Sequence, residues 1–163
     1  LSGRREISPK AKIYDTAKIA DRTELICDEN TTIGDFVLVA NRRLYMMPES
    51  QINAGAKLVG QEAVIMGEGA VISYNVLLLT STDQPSGGYM HDAASPETRK
   101  IKSGNIYLDH YSFIGAGAII FPDVKIGLCS VVGAGAVIKK SVPDFTVVKP
   151  DYDKLIFTRR RFD

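Results

Sequence analysis

The chain has 163 residues, 45% of them hydrophobic, enough for one domain with a sizeable core and too few for two comfortable ones. Twenty Lys and Arg against nineteen Asp and Glu leave a formal net charge of +1, which excludes a global field drawing the protein to nucleic acid or an anionic membrane. The only cysteines, Cys27 and Cys129, form no CxxC pair, and no apolar run approaches the roughly eighteen residues of a membrane span, so a cytoplasmic protein without disulfides is expected.

From the N-terminus, the stretch LSGRREISPK has no apolar core of a signal segment. Ile7, Ile13, Ile19 and Leu25 then follow six apart, with Ala11, Ala17 and Thr23 four places after the first three. Ile33 with Val37 continues the register. Val39 to Gln51, VANRRLYMMPESQ, breaks it and predicts an irregular or bulged coil: either a packed turn carrying a solvated pair, Arg42 and Arg43, or a substrate-facing edge. Ile52 with Ala56 resumes the pattern, followed by Met66, Ile72 and Leu78 with Ala70 and Val76. A larger break runs from Ser81 to Asn105, rich in Gly, Ser, Pro and charge. A loop of that length inside a regular repeat predicts a functional excursion. Beyond it, Ile114, Ile120, Ile126, Val132 and Ile138 keep strict register, each followed at four by Ala118, Val124, Ser130, Ala136 or Val142.

A period of six matches neither strand alternation nor the helical 3.6, so it marks a supersecondary repeat. The large residue and the small one four places on share parity, and a short strand points both inward. Three such units closing one triangular coil use about eighteen residues, and coils then stack at the strand spacing of about 4.8 Å. The prediction is an all-β parallel β-helix, a triangular prism over residues 1–148 with an excursion loop at 83–105 and a short tail at 149–163.

On these hexads, IGAGAIIFPDVKIGLCSVVGAGAVIKKSVPD resembles the C-terminal coils of the hexapeptide-repeat, left-handed β-helix acyltransferases, particularly galactoside, maltose and capsule or O-antigen sugar acetyltransferases. The left hand is implied by that resemblance alone. The loop start TSTDQPSGGYM, with SPE further on, is similar to a capsule-type subgroup with SDD-SGEYM followed by VPE. The resemblance implies transfer of an acetyl group from acetyl-CoA to a hydroxyl or amine of a sugar or nucleotide-linked sugar in surface-glycan biosynthesis, by a homotrimer that needs no metal.

Such transfer requires a base for the nucleophile's proton and donors for the oxyanion. In the galactoside and maltose relatives the base is the histidine of a THP motif; here TDQP puts Asp83 at that position. Asp83 near the ordinary carboxylate pKa is a weak base, and it equally suits a residue capping the loop. His91, in GYMHDA, sits mid-loop beside Asp92. His110, in YLDHYSFIG, opens the first coil after the loop, as base or as a turn residue bonded to Asp109. The expectation is that one histidine, with Asp83 orienting it or the acceptor, supplies the base.

For the donor, the resemblance implies a pantetheine groove at Gly115, Ala116, Gly133, Ala134 and Gly135, which read equally as turn residues. It further implies an aromatic at Phe113, phosphate contacts from Lys139 and Lys140, and adenine contacts near Lys149 and Pro150. The basic run at 159–161 reads as further phosphate contacts or as a solvated tail. Two other readings share the prism. A γ-type carbonic anhydrase needs three histidine ligands where the chain has two, and a non-catalytic scaffold would have lost its base.

Overall fold

Each hexad forms a strand of two to four residues closed by a turn, and successive turns wind the chain into stacked triangular coils. The computed structural model describes residues 3–86, 88–91 and 93–150, and the backbone of Leu155–Arg159. It is a parallel β-helix of about seven turns, the solenoid that the hexads predict, and is consistent with the left hand that the family resemblance implies. The one helical piece among the described residues is the 3-10 turn Pro96–Thr98.

Three parallel sheets make the faces. The first stacks Arg5–Ile7, Glu24–Cys27, Arg43–Met46, Ala63–Met66, Ile106–Leu108 and Val124–Ile126. The second runs from Lys12–Ile13 to Thr146–Pro150, on which Leu155–Arg159 folds back antiparallel. The third runs from Lys18–Ile19 to Val137–Ile138. Inside, ladders of like residues fill the prism: Ile33, Ile52, Ile72, Ile114 and Val132 on the second face, Val39, Leu58, Leu78, Ile120 and Ile138 on the third, all buried. Val37, Ala56, Val76, Ala118 and Ala136 stack at the corner between these two faces, all buried, where alanine or valine fills the space. Ile7 departs from the expected core at 45% exposure, because its coil is covered on one side only.

The coil length departs from eighteen, and the departure is localised. Ile7 lies opposite Cys27 and Ile52 opposite Ile72, each twenty residues on, whereas Ile114 faces Val132 after eighteen. The extra residues sit at one corner, from third face to first: Ile19 to Leu25, Val39 to Leu44 and Leu58 to Val64 cross it in six, five and six positions, Ile120 to Val124 in four. Leu25 consequently pairs with Arg5 rather than continuing the ladder of Ile7. A lengthened corner leaves backbone groups off the ladder, and buried side chains take them up. Thr23 Oγ1 donates to the Asn41 carbonyl (2.7 Å). Asn41 Nδ2 donates to the carbonyls of Arg43 (2.6 Å) and Glu62 (3.2 Å), and Thr80 Oγ1 accepts from the Glu62 amide (3.1 Å). The stretch 39–51 is therefore a regular coil, with Leu44 and Met46 buried beneath it, and the expected irregularity reduces to the corner at Asn41 and Arg42.

The excursion leaves at the same corner. Ser81–Asp83 pairs antiparallel with Ile101–Ser103, the Gly104 amide returns to the Thr80 carbonyl (3.0 Å), and Met66 then stacks directly on Leu108.

Candidate active site

Asp83 ends the outgoing strand of the excursion, and Arg99 stands where the loop comes back. Antiparallel pairing brings them together: Arg99 Nε and Nη2 donate to the two carboxylate oxygens of Asp83 at 2.9 and 2.8 Å, a bidentate pair with both side chains mostly buried. The Arg99 guanidinium holds the Asp83 carboxyl below the usual carboxylate range, outweighing the opposite pull of partial burial. The pair lines a pocket of about 410 Å³ with Arg22, Gly60, Gln61 and Ser81. His91 lies on the same loop, exposed, edge-on to Tyr89 at 5.9 Å, and near enough to add to the depression of Asp83.

His110 belongs to another corner, between the first and second faces. Its Nδ1 accepts the Glu68 amide at 3.1 Å, and its own amide donates to Asp109 Oδ1 at 2.9 Å. A nitrogen that accepts a backbone N–H carries no proton, so the neutral imidazole has its hydrogen on Nε2 and presents a donor. Serving as base would cost His110 the bond to Glu68. Asp109 is ion-paired with Lys125 (2.9 Å), which lowers the carboxyl and raises the ammonium. One protomer thus brings Asp83 and His91 together and places His110 apart. Arg99 is the residue that sequence reasoning missed; its one signal was an ionised Asp83 in need of a counter-ion.

The donor candidates divide by role. A Cβ on Gly115 would overlap the Ala134 amide, and one on Gly133 would come within 2.7 Å of Pro150 Cδ, so these glycines let neighbouring coils close on each other. Gly117 and Gly135, at φ of 68° and 72°, have nothing within 4 Å of an added Cβ and expose bare backbone beside Ala116 and Ala134. Phe113 is exposed on the adjoining second face, Lys139 holds its ammonium 5.1 Å over the Phe121 ring, and Lys140 and Lys149 are exposed. The side chains of the basic run at 159–161 lie outside the described residues.

No protein-family model matches the chain. The dTDP-4-amino-4,6-dideoxy-D-glucose acyltransferase of Escherichia coli is 28% identical over 144 residues, covering 83% of this chain and 75% of that protein. The galactoside O-acetyltransferase of Lactococcus lactis is 31% identical over 117 residues, 63% of this chain and 54% of that protein, so the chain spans about half the length of this relative. Among solved structures, the N-acyltransferase AntD of Bacillus cereus, as a serine-to-threonine variant with dTDP and coenzyme A, superposes with a TM-score of 0.81 at 25% identity over 94% of this chain and 83% of that one. Other forms of it hold dTDP-4-amino-4,6-dideoxyglucose with coenzyme A, and its substituted positions are a serine and an aspartate ten residues later.

Proposed function

We propose, from its similarity to hexapeptide-repeat acyltransferases, that the chain carries an acyl group from coenzyme A to the 4-amino group of a dTDP-linked amino-deoxy sugar. The observation that carries this reading is Asp83, an ionised carboxylate held by Arg99 where the galactoside and maltose transferases place a histidine. A hydroxyl acceptor must lose a proton as it attacks, and a carboxylate below the ordinary range is a poor base for that. An amine is already nucleophilic once neutral. What it needs is an acceptor for its N–H bonds that aims the lone pair, and a fixed anion supplies one. Ser73 and Asp83 stand ten apart in this chain, the interval between the substituted positions of the Bacillus cereus enzyme.

The acyl thioester supplies an activated carbonyl carbon. Asp83 accepts hydrogen bonds from the sugar amine and orients it toward that carbon. A carbon–nitrogen bond forms, the carbon–sulfur bond breaks, and the proton that the nitrogen gives up leaves with the thiolate as free thiol. His91 or the Nε2–H of His110 serves as a donor to the substrate, and the strip at Ala116, Gly117, Ala134 and Gly135 takes the pantetheine arm, with Phe113, Lys139, Lys140 and Lys149 toward the nucleotide end of coenzyme A.

The acting unit is a cytoplasmic homotrimer, which covers the exposed rings of Phe36, Tyr74 and Tyr111 at the prism corners and completes the coenzyme groove with a second subunit. Light scattering is expected to give three times the protomer mass. The decisive assay offers acetyl-CoA with either dTDP-4-amino-4,6-dideoxyglucose or a simple galactoside and follows thiol release and product mass. N-acylation of the amino sugar is expected, and preferential O-acetylation of the galactoside would overturn the reading.

A further inference from the structure

We infer that the outer side of the first face, between Tyr107 and Arg42, seats the thymine and diphosphate of the acceptor; this rests on the amino-sugar reading above. Two adjoining pockets lie there, of about 360 and 430 Å³, and they share Ile65 and Tyr107. The first is mostly apolar, walled by Met47, Ile65, Tyr107 and Leu108, with Asp109 and His110 at its end. The second is polar, lined by Arg42, Arg43, Glu62 and Asn105.

Strand register explains the apolar wall. Ile26, Tyr45, Ile65 and Tyr107 are successive partners across four strands, so they form an outward column on a face whose inward positions are already filled. Tyr107 is 43% exposed yet fixed, because its hydroxyl accepts from Asn105 Nδ2 (3.1 Å) while Asn105 Oδ1 accepts the Ala63 amide (3.1 Å). A held, open phenol ring suits stacking of a flat base, the aliphatic wall suits a 5-methyl group, and the Nε2–H of His110 with the Lys125 ammonium, itself paired with Asp109, offers donors to the carbonyl oxygens of a pyrimidine edge.

The cations are placed for the next part of the ligand. Arg43 is committed to Glu24 at 2.8 Å, but Arg42 is exposed and its guanidinium makes no hydrogen bond or ion pair among the described residues. Arg22, across the same corner, spends Nη2 on the Ala40 carbonyl (3.0 Å). Both suit bidentate contact with phosphate oxygens. Glu62 lines the second pocket, and the adjacent Gly60 and Gln61 line the pocket of Asp83 and Arg99. The three pockets therefore follow one another in the order of a nucleotide sugar: base, diphosphate, amine. The first two span the length of a four-residue strand, roughly 13 Å.

Calorimetric titration of the full chain with dTDP, thymidine and coenzyme A separates the cases. Arg42→Ala is expected to weaken dTDP at least tenfold with thymidine and coenzyme A unchanged. Tyr107→Ala is expected to weaken dTDP and thymidine alike, and Glu62→Gln to tighten dTDP severalfold by removing the carboxylate beside the phosphates. If the unmodified protein binds dTDP and all three variants match it, this site is wrong while the amino-sugar reading stands. Failure of the unmodified protein to bind dTDP overturns both.

Discussion

Asp83 and Arg99 couple acceptor choice to pH in a definite direction. With its folded pKa depressed by Arg99, Asp83 contributes stability that is fully present above the unfolded carboxylate value near 3.9 and is lost as pH falls through the still lower folded value. Between pH 5 and 9 it stays ionised, so the rate of transfer is expected to follow deprotonation of the amine substrate, with no inflection from Asp83. Asp83→Asn removes the charge that aims the amine and is expected to lower kcat/KM by about two orders of magnitude while leaving the shape of the pH profile and the affinity for coenzyme A unchanged. A profile that changes shape in Asp83→Asn would make Asp83 the titrating base instead. Cysteine chemistry gives a second check on the packing. Burial pushes the Cys27 thiol up to about 11, whereas Cys129 is only half-buried. Iodoacetamide at pH 8 followed by peptide mapping is expected to label Cys129 and spare Cys27 until the protein is denatured.

Strands and corners differ in what holds them, and substitutions separate the two. At the lengthened corner, Asn41 is fully buried and its Nδ2 serves two carbonyls from successive coils, so Asn41→Ala strands both and is expected to cost about 1–3 kcal/mol. At the glycine corner, Gly115→Ala forces its Cβ against the Ala134 amide, while Gly117→Ala meets open space and carries only the cost of a positive φ, about 1 kcal/mol. Thermal unfolding is expected to rank Gly115→Ala well below Gly117→Ala, and equal losses would mean that coil spacing is set elsewhere. The same contrast explains what could be read from sequence. Ile52, Ile72, Ile114 and Val132 announce their ladder because an inward position on a two-residue strand tolerates little besides a branched aliphatic. The slip from eighteen to twenty residues was hidden, because Leu25 and Thr23 satisfy the hexad rule in composition while the structure uses Cys27 for that place. Asp83 was visible through its motif position. Its partner Arg99 was not, because only the antiparallel return of the excursion brings it into reach. The pocket pair at Tyr107 was hidden in the same way, since its walls come from different coils.

As a whole the molecule is a stack in which each coil touches only its neighbours, so stability is close to a sum of coil and interface contributions. The excursion stands outside that sum. Met66 already packs on Leu108 and Leu78 on Ile120, so the coils before and after the loop are joined without it, and the 3-10 turn in its returning arm buries nothing. Because Asp83 and Ile101 are direct partners in the antiparallel ribbon, replacing 84–100 by Asn-Gly closes a two-residue hairpin without disturbing either strand. That shortened protein is expected to keep its coenzyme A affinity and oligomeric mass, and to unfold within about 4 °C of the full chain, the shift that roughly 1 kcal/mol produces in a chain of this size. It is also expected to lose transfer to the amino sugar, since Arg99 and His91 go with the loop and Asp83 is left unpaired and exposed to water. A large fall in unfolding temperature would instead make the excursion part of the prism's own support, and the separation between a structural stack and a catalytic corner would have to be given up.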